Sequence, residues 1–236
     1  MNKKILLWPA AALLGLSSLS AQAVPSGPPV SLFEYDINVD GVPYYITWGD
    51  PVPANVDVSL FDDITGLGTI TASFSGAGSH SFDAYFDHDI GAMYNDNELG
   101  SVTGAAAPGQ SFEIDDPAAD IFTNFEASTL DNLNNALLET DVAMAMGWDF
   151  VLAANEIADI IVEITEVMPT TGLVLGQHNG STVKDIWLSG ELIVTCTANC
   201  GQGPGDDTGK VPEPSMLLLM SLGLAGVVAT RRRKKV

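Results

Sequence analysis

Arginine is missing from the whole middle of this sequence, and lysine nearly so. Between residues 24 and 210 the only cations are Lys184 and Lys210, against twenty-nine acidic residues, a net charge of −27 with histidine neutral. A surface of that sign repels nucleic acid and anionic lipid, which excludes nucleic-acid binding, and it keeps the chain soluble by self-repulsion. Cysteine is as scarce, with Cys196 and Cys200 alone. Two thiols without a CxxC pair or a nearby histidine fall short of the four ligands of a structural zinc site. The segment holds no HExxH, no GxSxG and no phosphate-binding glycine loop, so the common signatures of metalloproteases, serine hydrolases and nucleotide enzymes are absent. No repeat of fixed period is present either.

The two ends are unlike this middle. Lys3 and Lys4 precede an apolar run over 5–19 that closes on Ala21-Gln22-Ala23. A basic start, a short apolar stretch and an A-x-A site predict a secretory signal peptide over 1–23. At the other end, an apolar run over 216–230 is followed by Arg231, Arg232, Arg233, Lys234 and Lys235. Its fifteen residues are slightly short of the roughly 20 that span a bilayer. Snorkelling by the flanking cations makes up the difference, and those cations stay cytoplasmic by the positive-inside rule.

Between the ends, apolar and polar residues alternate. Phe33, Tyr35, Ile37 and Val39 fall on one face, with Glu34, Asp36 and Asn38 on the other, the period-two pattern of a half-buried strand. The same reading gives strands over 44–48, 56–60, 67–75, 79–86, 111–114, 142–152, 158–167, 173–176 and 184–195. Gly76-Ala77-Gly78 reads as a hairpin link, Gly147 as a bulge point, and 158–167 as the partner of 142–152. Residues 87–108 read as a long loop with at most a short strand near Val102. Over 118–138, Ile121, Phe122, Phe125, Leu130, Leu133, Leu137 and Leu138 recur at helical spacing, predicting one or two short helices broken near Ser128-Thr129. The fold class expected is mainly β, an antiparallel β-sandwich over 24–200 with those short helices, a Gly/Asp linker over 201–210 and a C-terminal transmembrane helix.

The segment after the linker carries the most specific signal. Val211-Pro212-Glu213-Pro214, then the apolar run and the basic terminus, resembles the PEP-CTERM sorting domain: motif 211–215, transmembrane span 216–230 and basic tail 231–236. The resemblance implies an exosortase of the inner membrane as partner, cleavage at the motif, transient membrane residence and a final place at the cell surface or outside the cell, in exopolysaccharide. Two prolines keep the motif extended and readable at the membrane face. More loosely, Gly68-Thr69-Ile70-Thr71, Asp87-His88-Asp89-Ile90 and Gly147-Trp148-Asp149-Phe150 resemble ectodomains of uncharacterised PEP-CTERM proteins, which implies a β fold and no activity.

Candidate chemistry is sparse. Cys196 and Cys200 in an oxidising compartment suggest a small-loop disulfide. From Asp87 to Glu98, oxygen ligands at positions one, three, nine and twelve (Asp87, Asp89, Asn95, Glu98) match the spacing of an EF-hand calcium loop. Gly91 and Ala92 depart from that loop at positions five and six, so a calcium site and a solvated turn both stand. His80, His88 and His178 are the only histidines; a Ser-His-Asp triad around Ser79-His80-Ser81 or a pair of glycosidase carboxylates remains open in space. Trp48, Trp148 and Trp187 are the aromatics for a sugar, with Trp148 in the inward register and Trp187 out of it. The reading that follows is a sorted, acidic surface or matrix protein without catalytic activity. The alternatives are a secreted carbohydrate-binding protein and a polysaccharide-active hydrolase.

Overall fold

The computed structural model describes residues 30–90, 97–137, 140–179 and 184–198. The expected signal peptide, Asn95, Cys200, the linker and the sorting segment lie outside them. Among the described residues no helix is long and apolar enough to cross a membrane; the predicted span at 216–230 is not among them.

Among the described residues eleven strands form two antiparallel sheets. One orders as β2 (Val42–Tyr44), β1 (Val30–Val39), β5 (Gly78–Ile90), β8 (Ala143–Leu152) and β7 (Gln110–Asp115). The other orders as β3 (Val56–Asp62), β4 (Leu67–Ser75), β9 (Glu156–Thr165), β11 (Asp185–Cys196), β10 (Val174–Asn179) and β6 (Glu98–Thr103). We call them the first and second sheets. Inward residues of both share one core, including Ile37, Phe82, Phe86, Met144, Met146 and Trp148 from the first and Ile70, Ile160, Val162, Leu175, Ile186 and Leu188 from the second. The expected sandwich is present, with more strands than the alternation predicted.

Several local expectations are corrected. Gly76-Ala77-Gly78 is not a hairpin link: β4 pairs with β3 and β9, and β5 with β1 and β8, so the chain changes sheets there. Positive φ at Gly76 and Gly78 (101° and 145°) permits so short a crossing. The turn at Asn155 does the same, and β9 pairs with β4 and β11 rather than with β8. A register shift between Leu32 and Glu34 ejects Phe33, which is 52% exposed, and another between Asp57 and Leu60 ejects Leu60 and turns Phe61 onto the core.

Gly147 is no bulge, since β8 keeps continuous register with both neighbours. A Cβ there would lie 2.0 Å from Asp83 Oδ1, so its bareness makes room for a carboxylate. Among the described residues one helix forms, α1 (Ile121–Glu126), and Ser128 at φ 51° ends it where the break was predicted. Leu133 and Leu137 lie outside it and stay exposed, because the chain turns again at Asn132 (φ 64°) instead of continuing the helical period.

The helix lies on the outer face of the first sheet. Ile121, Phe125 and Leu130 pack with Tyr85, Ala143 and Ala145 in a second cluster; the small β8 side chains let the helix approach. Strand β1 is therefore buried on both faces over Asp36–Asn38, where alternation alone predicts a solvated side.

The two sheets also approach closely at Gly190 on β11. A Cβ there would meet Trp148 Cη2 and the Ile161 carbonyl, each at 2.7 Å. Gly190→Ala should cost about 1–3 kcal/mol through overpacking, read as a lower urea midpoint at constant slope. Combining it with Trp148→Phe, which vacates the space, should cost less than the sum of the two. Simple additivity would show that the indole and Gly190 do not share that space.

Candidate functional site

Register places side chains from four strands in rows across the outer face of the first sheet. Glu34 pairs with Asp87 and Asp87 with Ala143, which pairs with Asp115; Asp36 pairs with Tyr85, Ala145 and then Glu113; Asn38 pairs with Asp83, Gly147 and then Ser111. Six carboxylates thus share one face, and the only lysine or arginine among the described residues, Lys184, pairs with Glu166 at 2.7 Å. Polar neutral groups supply what cations do not. Asn124 Nδ2 donates to both Glu113 oxygens at 3.0 and 3.1 Å, Asn135 donates to Asp115 at 2.9 Å and the Ser128 hydroxyl donates to Asp83.

Where the covering segment stops, a groove of about 470 Å³ opens between Phe33, Glu34, Trp48, Tyr85, Asp87, Phe122 and Asp141. Trp48 is 73% exposed beside it, and its Nε1 donates to Glu34. Phe122 meets Tyr85 edge-on at 5.3 Å and stacks with Tyr45 at 6.2 Å. The result is an aromatic ledge beside a carboxyl floor.

Burial dominates the electrostatics. It pushes Asp87 up to about 8, with Asp141, Asp89 and Glu34 adding repulsion in that order. Burial also raises Asp36 and Asp83 to about 7, and raises Glu113. Neither Asp36 oxygen has a hydrogen-bond partner, although the amides of Ile46 and Thr47 lie near enough to oppose the rise. Tyr45 donates to Glu126 at 2.5 Å, and this bond is the largest cause that pushes its hydroxyl up to about 12.

Three of the candidate calcium residues are among the described ones, and Asn95 is not. Asp87 and Asp89 lie on β5, which runs through positions one and three of the predicted loop, and Glu98 opens β6. The Glu98 carboxylate sits inside the sandwich, accepting from the Ile90 amide at 2.9 Å and from Gln177 Nε2 at 2.5 Å, while Asp87 faces the groove. Elsewhere on the first sheet's outer face, Glu113, Asp115 and Asp120 bring one oxygen each within 4.8 Å of one another. Hydrogen bonds from Asn124, Asn135 and the Asp131 amide anchor two of those three. Cys196, at the end of β11, is disulfide-bonded.

Of the histidines, His80 offers no triad: its Nδ1 faces Asp40 at 3.2 Å and its Nε2 the Gly76 carbonyl at 3.1 Å. His88 is buried among core residues and pushed down to about 4 by that burial. His178 lies between Ser101 and Asp185 on the outer face of the second sheet. Trp148 is in the core at 2% exposed, as its register predicted.

A model of the PEP-CTERM protein-sorting motif matches residues 210–234. It supports the reading of the C-terminal region and implies export with membrane-associated sorting, the motif being one that exosortase recognises. No curated protein and no solved structure matches the chain.

The buried carboxyls give stability a definite pH dependence. Asp36, Asp83 and Glu98 (about 7) and Asp87 (about 8) bind protons more tightly folded than unfolded. Their contribution is complete below the unfolded values near 4 and is lost as pH rises through about 7 to 8. His88 acts oppositely, with stability lost as pH falls from about 6.5 to 4. Above about pH 6.5 the carboxyls alone decide, so the melting midpoint should fall from there to about pH 8.5, by roughly 2–4 °C for each kcal/mol. Asp87→Asn should flatten the fall; a midpoint constant over that range would contradict the burial assigned to these groups.

Proposed function

We propose that this chain, a PEP-CTERM protein by its C-terminal sorting motif, works after sorting as a surface or extracellular-matrix protein that associates with exopolysaccharide. The groove beside Trp48 is the contact, and binding there needs no catalysis. The observation that carries this reading is the exposed Trp48, tied through its indole nitrogen to Glu34 beside a groove floored by Asp87. An aromatic face stacks on the apolar face of a sugar ring, and carboxyl oxygens accept from its hydroxyls. Asp87, with its proton retained at neutral pH, also donates, so the groove suits a neutral chain rather than an acidic one. Acidic chains would reach this surface only with divalent cations between the charges.

A hydrolase reading has one observation in its favour: Glu34 and Asp87 are cross-strand partners lining the same groove, and Asp87 is held as an acid. Incubation with the producing cell's own polysaccharide separates the two, since binding leaves chain length unchanged and hydrolysis shortens it.

Trp48→Ala should weaken retention of the exported protein on a neutral polysaccharide column at least tenfold, with melting unchanged because the ring is mostly exposed. Retention equal to wild type would place sugar contact elsewhere. Sorting is tested separately. Alanines at Pro212, Glu213 and Pro214 should leave the protein uncleaved in the inner membrane, and normal release of that variant would overturn the role of the motif.

A further inference from the structure

On the face opposite the groove, three neighbouring strands bring together residues that the binding role does not use. In the β10–β11 register His178 lies directly across from Asp185, and in the β6–β10 register Gly176 lies across from Ser101. Ser101 and His178 are thus diagonal neighbours, within reach of side chains on one sheet face. Ser101 Oγ lies 2.5 Å from His178 Nε2, and His178 Nδ1 lies 3.0 Å from Asp185 Oδ1.

The partners set the tautomer. An ionised carboxylate only accepts, so Nδ1 carries the proton and donates to Asp185; Nε2 is then the acceptor and Ser101 donates to it. That is the direction a general base requires. Two further features hold the geometry. Trp187 meets the imidazole edge-on, ring centres 4.9 Å apart. Gly176 lets the three groups close over its bare Cα: a Cβ there would lie 2.5 Å from Ser101 Oγ, 2.6 Å from Trp187 Cζ3 and 2.8 Å from His178 Nε2. Ser101 is partly exposed and the His178 and Asp185 side chains are 25% and 42% exposed, so a solvent-borne group reaches them.

We propose that Ser101 is an activated nucleophile toward carboxylic esters, such as acyl groups carried on the hydroxyls of an extracellular polymer. Its Oγ adds to the ester carbonyl carbon while its proton passes to His178 Nε2. The carbon–oxygen bond to the alcohol then breaks, the departing oxygen takes the proton from His178, and Ser101 is left acylated. Water, deprotonated by the same nitrogen, adds to that acyl carbon; Ser101 recovers its proton as the carboxylic acid leaves. Asp185 is a positioning residue. Strand β10 is paired on both sides, which commits its amides to the ladder, so donors for the oxyanion come from solvent and turnover is slow. An open sheet face suits an ester displayed on a polymer or a small activated ester.

The test uses the full-length protein and a fluorophosphonate probe, followed by mass spectrometry of the adduct. The probe should label Ser101, and p-nitrophenyl acetate should be hydrolysed above the level of the Ser101→Ala variant. His178→Gln should lower labelling at least tenfold. Gly176→Ala should abolish it by pushing Ser101 and His178 apart, with the melting midpoint reporting that the fold survives. Asp185→Asn should slow labelling while Asp185→Glu retains it, a rescue that a merely structural ladder would not show. No adduct on Ser101, or an adduct formed equally fast in His178→Gln, overturns the proposal.

Discussion

Almost everything unusual about this sandwich follows from burying carboxyls without cations to pair them. A buried carboxylate costs several kcal/mol unless it is hydrogen-bonded, paired or protonated. Here Lys184 is spent on an exposed pair with Glu166. The outer face of the first sheet uses the other two solutions. Asparagine amides and a serine hydroxyl from the covering segment reach Glu113, Asp115 and Asp83, and burial raises the proton affinity of Asp36 and Asp87 as well as that of Asp83. The segment after β7 is therefore more than a lid on apolar surface. Its polar side chains are the counter-groups of the sheet beneath, and Asn38 reciprocates by donating to the Phe125 and Glu126 carbonyls where α1 ends.

The same constraint explains where the groove sits. Near Asn124, Ser128 and Asn135 the carboxyls are roofed and satisfied. Toward Glu34, Asp87 and Asp141 the roof narrows to Pro117, Ala118 and Phe122, which carry no hydrogen-bonding side chain, and the floor opens to solvent beside Trp48. A ligand rich in hydroxyls would do there what the asparagines do elsewhere.

Much of the sandwich was legible from alternation because an inward face must be apolar at every second residue. Met144, Met146, Trp148 and Leu152 kept that rule without interruption. It failed at Phe33 and Leu60, because a one-residue register shift puts the residues on its two sides out of phase, and a bulge leaves no mark in a list of apolar positions. Sheet membership was invisible for a related reason. A glycine link between two good strands looks alike whether the chain turns back into one sheet or crosses to the other, and only distant partners decide. Helical spacing over 118–138 marked the one short helix and its break, but beyond them Leu133 and Leu137 recur at that spacing in an irregular segment that covers the sheet. The sites were less legible still. Ser101, His178 and Asp185 are far apart in sequence and meet only through the order β11-β10-β6, and Gly176 matters through the side chain it lacks.

The two outer faces answer one electrostatic problem differently. The net charge repels acidic polymers at long range, but that field is screened within about 8 Å at physiological ionic strength. What remains at contact is short-ranged: aromatic stacking and neutral hydrogen bonds at the groove, and a locally compensated imidazole at Ser101. Both suit uncharged groups such as hydroxyls and esters. The groups such a surface can hold are therefore set by what happens inside one screening length. The net charge governs instead how strongly copies of the domain repel one another.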